Sequence, residues 1–123
     1  MSSAIQTLID HIVSVADEKK AERITSYDVT ASSTLTDSVV LLSASNVIHC
    51  RSLVDELSKA IEKKVAEIKS DDFFEEVRVS GDHNSGWVII DANSIVIHCM
   101  TEPMREFYNL DAFFEKNGVV YHY

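Results

Sequence analysis

Ser38-Val39-Val40-Leu41-Leu42-Ser43-Ala44-Ser45-Asn46-Val47-Ile48-His49-Cys50 contains the change of period that decides the fold. Its first half is a continuous apolar run, rich in β-branched residues and bounded by serines, which reads as a strand covered on both faces, as at the centre of an α/β sheet. Beyond Ser43-Ala44-Ser45-Asn46 the apolar residues take helical spacing. Val47, Cys50, Leu53, Val54, Leu57, Ile61, Val65 and Ile68 hold one stripe for about six turns. Asn46 or Ser45 supplies a capping side chain, and Ser70-Asp71-Asp72 interrupts the stripe at its far end.

Working outward, Ser3-Ala4-Ile5-Gln6 has the spacing of a capping box, and Ile5, Leu8, Ile9, Ile12 and Ala16 continue as a helix expected to end near Ala21. Tyr27-Asp28-Val29 reads as a short strand. On the other side, strands are expected over 74–79, 87–90 and 95–100, with 81–86 as a polar loop. Asp91-Ala92-Asn93-Ser94 is short enough to join the last two strands as an antiparallel hairpin. Thr101-Glu102-Pro103 has a capping hydroxyl and a proline for a first helical turn, so 104–110 should form a short helix. A second brief turn over 111–116 ends at Asn117-Gly118. Residues 119–123 are a C-terminal tail or a small extra strand. The expectation is one α/β domain over 1–118, a mixed sheet of about five strands flanked by helices.

Composition agrees with a single core: 123 residues, 46% hydrophobic, with three glycines and one proline. No run of apolar residues is long enough to span a bilayer, and Met1-Ser2-Ser3 lacks the basic and apolar regions of a signal peptide. A soluble, intracellular, cytoplasmic protein without a membrane partner is expected, its two cysteines reduced. The net charge of −9 opposes phosphate backbones, so direct nucleic-acid binding is disfavoured and a basic protein partner fits better.

Both cysteines lie in a repeated Val-Ile-His-Cys, at Val47-Ile48-His49-Cys50 and Val96-Ile97-His98-Cys99. Adjacent strand residues point to opposite faces, so His98 and Cys99 do not converge on one ion, and His49 lies about 100° around the helix from Cys50. Neither copy has zinc-module spacing, so no metal or other cofactor is expected, and both cysteines read as small core residues. Nor does either neighbourhood activate a thiol for catalysis. Asp28, Asp37 and Asp91 lack the glycine-rich loop and the paired acids of phosphoryl-transfer chemistry. What stands out is the C-terminal half: Trp87, the only tryptophan, then His98, Met100, Met104, Arg105, Phe107, Tyr108 and Phe113-Phe114. An exposed subset of these, with Arg105 and Tyr108, would make an aromatic and arginine anchor for another protein.

The pattern resembles the ribosomal silencing factor, or Iojap-like, family. The matching residues are Asp28-Val29, then Thr36-Asp37-Ser38 through Ser43-Ala44-Ser45 with His49. They continue at Val79-Ser80-Gly81, Gly86-Trp87-Val88-Ile89-Ile90-Asp91, Ile95-Val96-Ile97-His98 and Arg105-Glu106-Phe107-Tyr108-Asn109-Leu110-Asp111. The chain departs from the family pattern at Ala44, Ser80, Ala92, Asn93, Asp111 and Phe114. The resemblance implies a degenerate nucleotidyltransferase-like α/β fold with no enzymatic role. It also implies binding to the large ribosomal subunit through its protein number fourteen, which blocks the small subunit from joining and represses translation when nutrients are scarce. A homodimer is a further implication. The contact candidates are Trp87, Ala92, His98, Met100, Arg105, Tyr108, Leu110 and Asp111, with Glu102 and Glu106 adding negative charge toward a basic partner. The alternatives are a nucleotidyltransferase-like enzyme, against which the missing acidic pair argues, and a large-subunit assembly factor.

Overall fold

A computed structural model describes residues 3–123, the His83 side chain excepted. Met1 and Ser2, with which the expected domain begins, lie outside the described residues. The chain runs α1 (Ser3–Glu18), β1 (Glu22–Asp28), β2 (Ser38–Ala44), α2 (Val47–Ile68), β3 (Phe73–Asp82), β4 (Trp87–Asn93), β5 (Ile95–Thr101), α3 (Glu102–Tyr108), α4 (Leu110–Asn117) and β6 (Val119–His122). A single 3-10 turn, His83–Ser85, leads into β4.

Among the described residues, six strands form one sheet in the order β3-β4-β5-β2-β1-β6. β2 pairs parallel with β5, and the other neighbours are antiparallel, so the sheet is mixed. Every residue of β2 is buried, as its unbroken apolar run requires of a strand covered on both sides. One face carries α1 and α2: Ile5, Leu8, Ile9 and Ile12 of α1 and Leu53, Leu57 and Ile61 of α2 pack on Val40, Leu42, Val88, Ile90 and Ile97. Each such side chain contributes roughly 1.5–3 kcal/mol by leaving water. The opposite face is only partly covered. There Tyr27, Val39 and Leu41 meet Leu110 and Phe114 of α4 in a smaller cluster.

Asn46 is the cap of α2, its Oδ1 accepting from the His49 N–H at 2.8 Å. Elsewhere the local detail differs from expectation. Ser3 already lies inside α1, and the Gln6 amide donates forward to Asp10 Oδ1 at 2.8 Å, so the anticipated capping box does not form there. α1 stops at Glu18 because Lys20 takes a left-handed φ of 67°, with Lys20 N–H on Asp17 O and Ala21 N–H on Ala16 O closing the last turn. β1 begins at Glu22, well before Tyr27. Its polar Glu-Arg-Ile-Thr-Ser start hides a strand whose Thr25 and Ser26 are buried and hydrogen-bonded, through Thr25 to Arg105 and through Ser26 to Tyr123.

Thr101 occupies the N-cap position of α3, yet its side chain makes no capping bond. The expected break between the two short C-terminal helical segments comes at Asn109 and not after Leu110, because Asn109 adopts φ 47°, a conformation asparagine tolerates better than most residues. Of the two readings of the C-terminus, tail or small strand, the second holds: Val119–His122 pairs with β1 and extends the sheet. The expected hairpin joins β4 and β5, with Asn93 at φ 79° in its turn.

Candidate functional site

The partly covered face carries a row of rings built from both ends of the C-terminal half. Trp87 opens β4, paired across from Met100 of β5, and sheet register places it beside His98 on the same face. The Trp87 indole N–H donates to His98 Nδ1 at 3.1 Å. That bond leaves the other ring nitrogen to carry the proton in the neutral imidazole. Burial pushes the His98 pKa down to about 4, so the ring is neutral near pH 7.

Tyr108, the last residue of α3, lies against Trp87 with ring centroids 4.7 Å apart, and Phe107 meets Tyr108 edge-on at 5.0 Å. On the other side His98 faces Phe114 at 6.2 Å, and Phe114 meets Phe113 at 5.3 Å. The rings therefore continue from α3, over β4 and β5, to α4. Phe107 is 79% exposed, Phe113 59% and Tyr108 48%, while Trp87, His98 and Phe114 are partly covered.

Beneath this row an ion pair fixes α3 and α4 to the sheet. Arg105 is 1% exposed, and its guanidinium has five N–H donors, all of them used. Nε and Nη2 form a fork onto Asp111 at 2.8 Å each, Nη1 donates to Arg23 O at 2.7 Å and Ser43 Oγ at 2.9 Å, and Nη2 donates to Thr25 Oγ1 at 3.2 Å. Asp111 also accepts from the Tyr27 hydroxyl at 2.7 Å. The Arg105 bond, aided by Tyr27 and opposed by burial, holds the Asp111 carboxyl below the ordinary range. Burial, then the Asp111 bond, raises the Tyr27 phenol. Burial pushes Glu102 up, but hydrogen bonds from Ser43 and Arg23 outweigh it and leave the group lowered; Arg23 reaches Glu102 at 2.7 Å.

Asp111 apart, the expected contact residues thus divide into two sets. Trp87, His98, Tyr108 and Leu110 lie on or just under one surface. Ala92, Met100 and Arg105 are buried: Ala92 belongs to the core beneath α1 and α2, and Met100 is fully enclosed, so they shape the surface from within and do not form it. Arg105 in particular is committed to internal partners and is no exposed anchor. Asp111 and Glu102, expected as free surface acids, are spent on Arg105 and Arg23, whereas Glu106 is exposed. Phe107 and Phe113 belong with the ring row but were absent from the contact candidates. A helix as short as α4, with no buried residue and two adjacent phenylalanines, is the signal that points to Phe113.

The two Val-Ile-His-Cys segments do come together, through their sulfurs. Cys50 Sγ and Cys99 Sγ are 3.5 Å apart in the core. The histidines point elsewhere: His49 accepts the Ser45 N–H at Nδ1, 3.0 Å, and places Nε2 2.8 Å from Lys19 O, tying the end of α1 to the start of α2. Among the described residues no group of three or more His, Cys, Asp or Glu side chains is placed to hold a metal ion, and no helix is long and apolar enough to cross a membrane. What this face presents is exposed aromatic area on a rigid base, the usual means of anchoring a protein partner.

The chain is similar in sequence and in shape to known proteins. A protein of Halalkalibacterium halodurans named ribosomal silencing factor RsfS is 26% identical over 106 residues, spanning 86% of this chain and 84% of its own. The protein of that name from Haemophilus influenzae is 23% identical over 104 residues, 85% of this chain and 94% of its own. A crystal structure of a Chromobacterium violaceum protein superposes with a TM-score of 0.71 at 21% identity, over 94% of this chain and 88% of that one. One from Bacillus halodurans gives 0.67 at 25% identity, over 88% and 93%. The family model described as ribosomal silencing factor during starvation, RsfS, matches residues 2–121, and the chain belongs to that family.

Proposed function

We propose that this protein silences translation by binding the large ribosomal subunit through its protein number fourteen and denying the small subunit its docking surface. The observation that carries this reading is the continuous ring row on the partly covered face, Phe107-Tyr108-Trp87-His98-Phe114-Phe113, in a chain of the silencing-factor family. Exposed aromatic residues on a fixed base bury large area at little entropic cost, which suits one strong contact with a protein. The net charge of −9 favours encounter with a basic ribosomal protein over direct contact with RNA. A folded chain of this length is roughly 35 Å across by compact-domain scaling, wide enough to hold two subunits apart when seated between them.

The test mixes purified large and small subunits with increasing amounts of the protein and follows whole ribosomes in sucrose gradients. The expected result is loss of whole ribosomes, with the protein sedimenting on the large subunit. Tyr108→Ala, which removes a half-exposed ring without disturbing the Arg105 network, should abolish that co-sedimentation and restore subunit pairing. Whole ribosomes forming undiminished at saturating protein would refute the proposal, and unchanged co-sedimentation of Tyr108→Ala would remove Tyr108 from the contact.

A further inference from the structure

The fold gives the repeated Val-Ile-His-Cys a consequence that silencing does not use. Cys50 lies in the first turn of α2 and Cys99 on β5, and both side chains are fully buried with sulfurs 3.5 Å apart. We propose that Cys50 and Cys99 are a modification site: an oxidisable dithiol that peroxide closes to an intrachain disulfide, joining α2 to β5.

A disulfide holds its sulfurs about 2.0 Å apart, so each sulfur needs to move only roughly 0.7 Å, within the reach of small side-chain rotations. The thiols already face each other: Cys50 Sγ approaches Cys99 O at 3.6 Å, and Cys99 Sγ approaches Cys50 O at 3.9 Å. The imidazoles nearest in sequence are committed to Trp87, Ser45 and Lys19, so the sulfurs have each other as their reactive neighbour. In the neutral pair Cys50 Sγ donates toward Cys99 Sγ; once Cys50 ionises, the Cys99 S–H turns to donate to it, which lowers the Cys50 pKa, while the same bond and burial raise that of Cys99. Access comes from the helix end. Ser45, Asn46 and Ile48 are exposed, and opening of that one terminal turn uncovers Cys50 to an oxidant little larger than water.

The step balances with peroxide as the oxidant. The Cys50 thiolate attacks one peroxide oxygen, the O–O bond breaks, and the departing hydroxide takes a proton to leave as water. The resulting sulfenic acid is attacked by the Cys99 sulfur, which loses its proton as the S–O bond breaks and a second water leaves. Two thiols are oxidised by two electrons in all, and one peroxide is reduced to two waters. The bond closes a loop of 49 sequence positions, which restricts the unfolded chain far more than the folded one.

The test treats the full-length chain with hydrogen peroxide, unfolds it, alkylates any remaining thiols and measures intact mass and peptide masses. The expected product has no alkylatable thiol, is lighter by two hydrogens, and yields one cross-linked peptide pair containing Cys50 and Cys99. Its urea midpoint should rise, and dithiothreitol should reverse the rise. In Cys99→Ala, peroxide should add oxygen to Cys50 and give no upward shift. The wild-type mass measurement stands even if that variant folds poorly. Two thiols still alkylatable after treatment, oxygen added without a cross-link, or a disulfide between two chains would each overturn the proposal.

Discussion

Replacing Arg105 with methionine keeps a long side chain in the same space but removes the charge and all five donors. In the native fold those donors satisfy both Asp111 oxygens, Arg23 O, Ser43 Oγ and Thr25 Oγ1 at distances of 2.7–3.2 Å, with Arg105 itself 1% exposed. After the change Asp111 retains the Tyr27 hydroxyl and a distant Arg23 nitrogen at 3.8 Å, which compensates little of a half-buried carboxylate's lost partner. Breaking one side of a buried, hydrogen-bonded ion pair costs about 3–5 kcal/mol, and the retained Tyr27 bond places this case near 4 kcal/mol. At a urea slope of about 1.5 kcal/mol per molar, the midpoint should fall by roughly 2–3 M. The companion variant Asp111→Leu should cost a similar amount, but Arg105→Met combined with Asp111→Leu should cost much less than the sum, because no buried charge then lacks a partner. Equilibrium urea unfolding of the four proteins, followed by Trp87 fluorescence and far-ultraviolet circular dichroism, completes the cycle. A loss below about 1 kcal/mol for Arg105→Met, or additive single effects, would refute the view that this pair clamps α3 and α4 to the sheet.

Other expectations follow from the same geometry. His98 is neutral in the fold with a pKa near 4, below its ordinary 6.5, so protonation favours unfolding. Stability should therefore be complete above about pH 6.5 and decline by about 3 kcal/mol as pH falls to 4, a decline that urea midpoints across this window should show and that His98→Gln should flatten. The lowered carboxyls of Asp28 and Asp111 act at lower pH, their contribution lasting above the ordinary aspartate value and disappearing as pH falls through the folded ones. Gly81→Ala should cost about 2 kcal/mol or more, because a Cβ there would lie 2.5 Å from Trp87 O and Gly81 has φ 102°. Thermal unfolding would read this loss, and an unchanged midpoint would mean that β3 yields to make room.

Much of the architecture follows from local pattern. β2 and α2 were legible because a run of apolar residues changing to helical spacing leaves few alternatives, and Asn46 marks the junction by its capping chemistry. The start of β1 was not legible, because Thr25 and Ser26 are polar yet buried and find hydrogen-bond partners in Arg105 and Tyr123, residues far along the chain. β6 likewise needs β1 as a partner before its short run has strand geometry.

For the site, residue type identified the neighbourhood but not which side chains reach solvent. Arginine, tryptophan and tyrosine close together suggest an anchor wherever they occur, and sequence makes Arg105 as eligible as Tyr108. The fold separates them because Arg105 turns inward to Asp111 while Tyr108 ends its helix against Trp87. The same limit governs the cysteines: periodicity places each in the core, but only the parallel pairing of β2 with β5, under the start of α2, sets their sulfurs 3.5 Å apart. By itself the sequence determined what repeats locally, the strand, the helix and the face each buries, since these depend on neighbours a few residues away. The tertiary structure decided which distant side chains meet, because contact across the sheet depends on strand order and register, which no local period encodes.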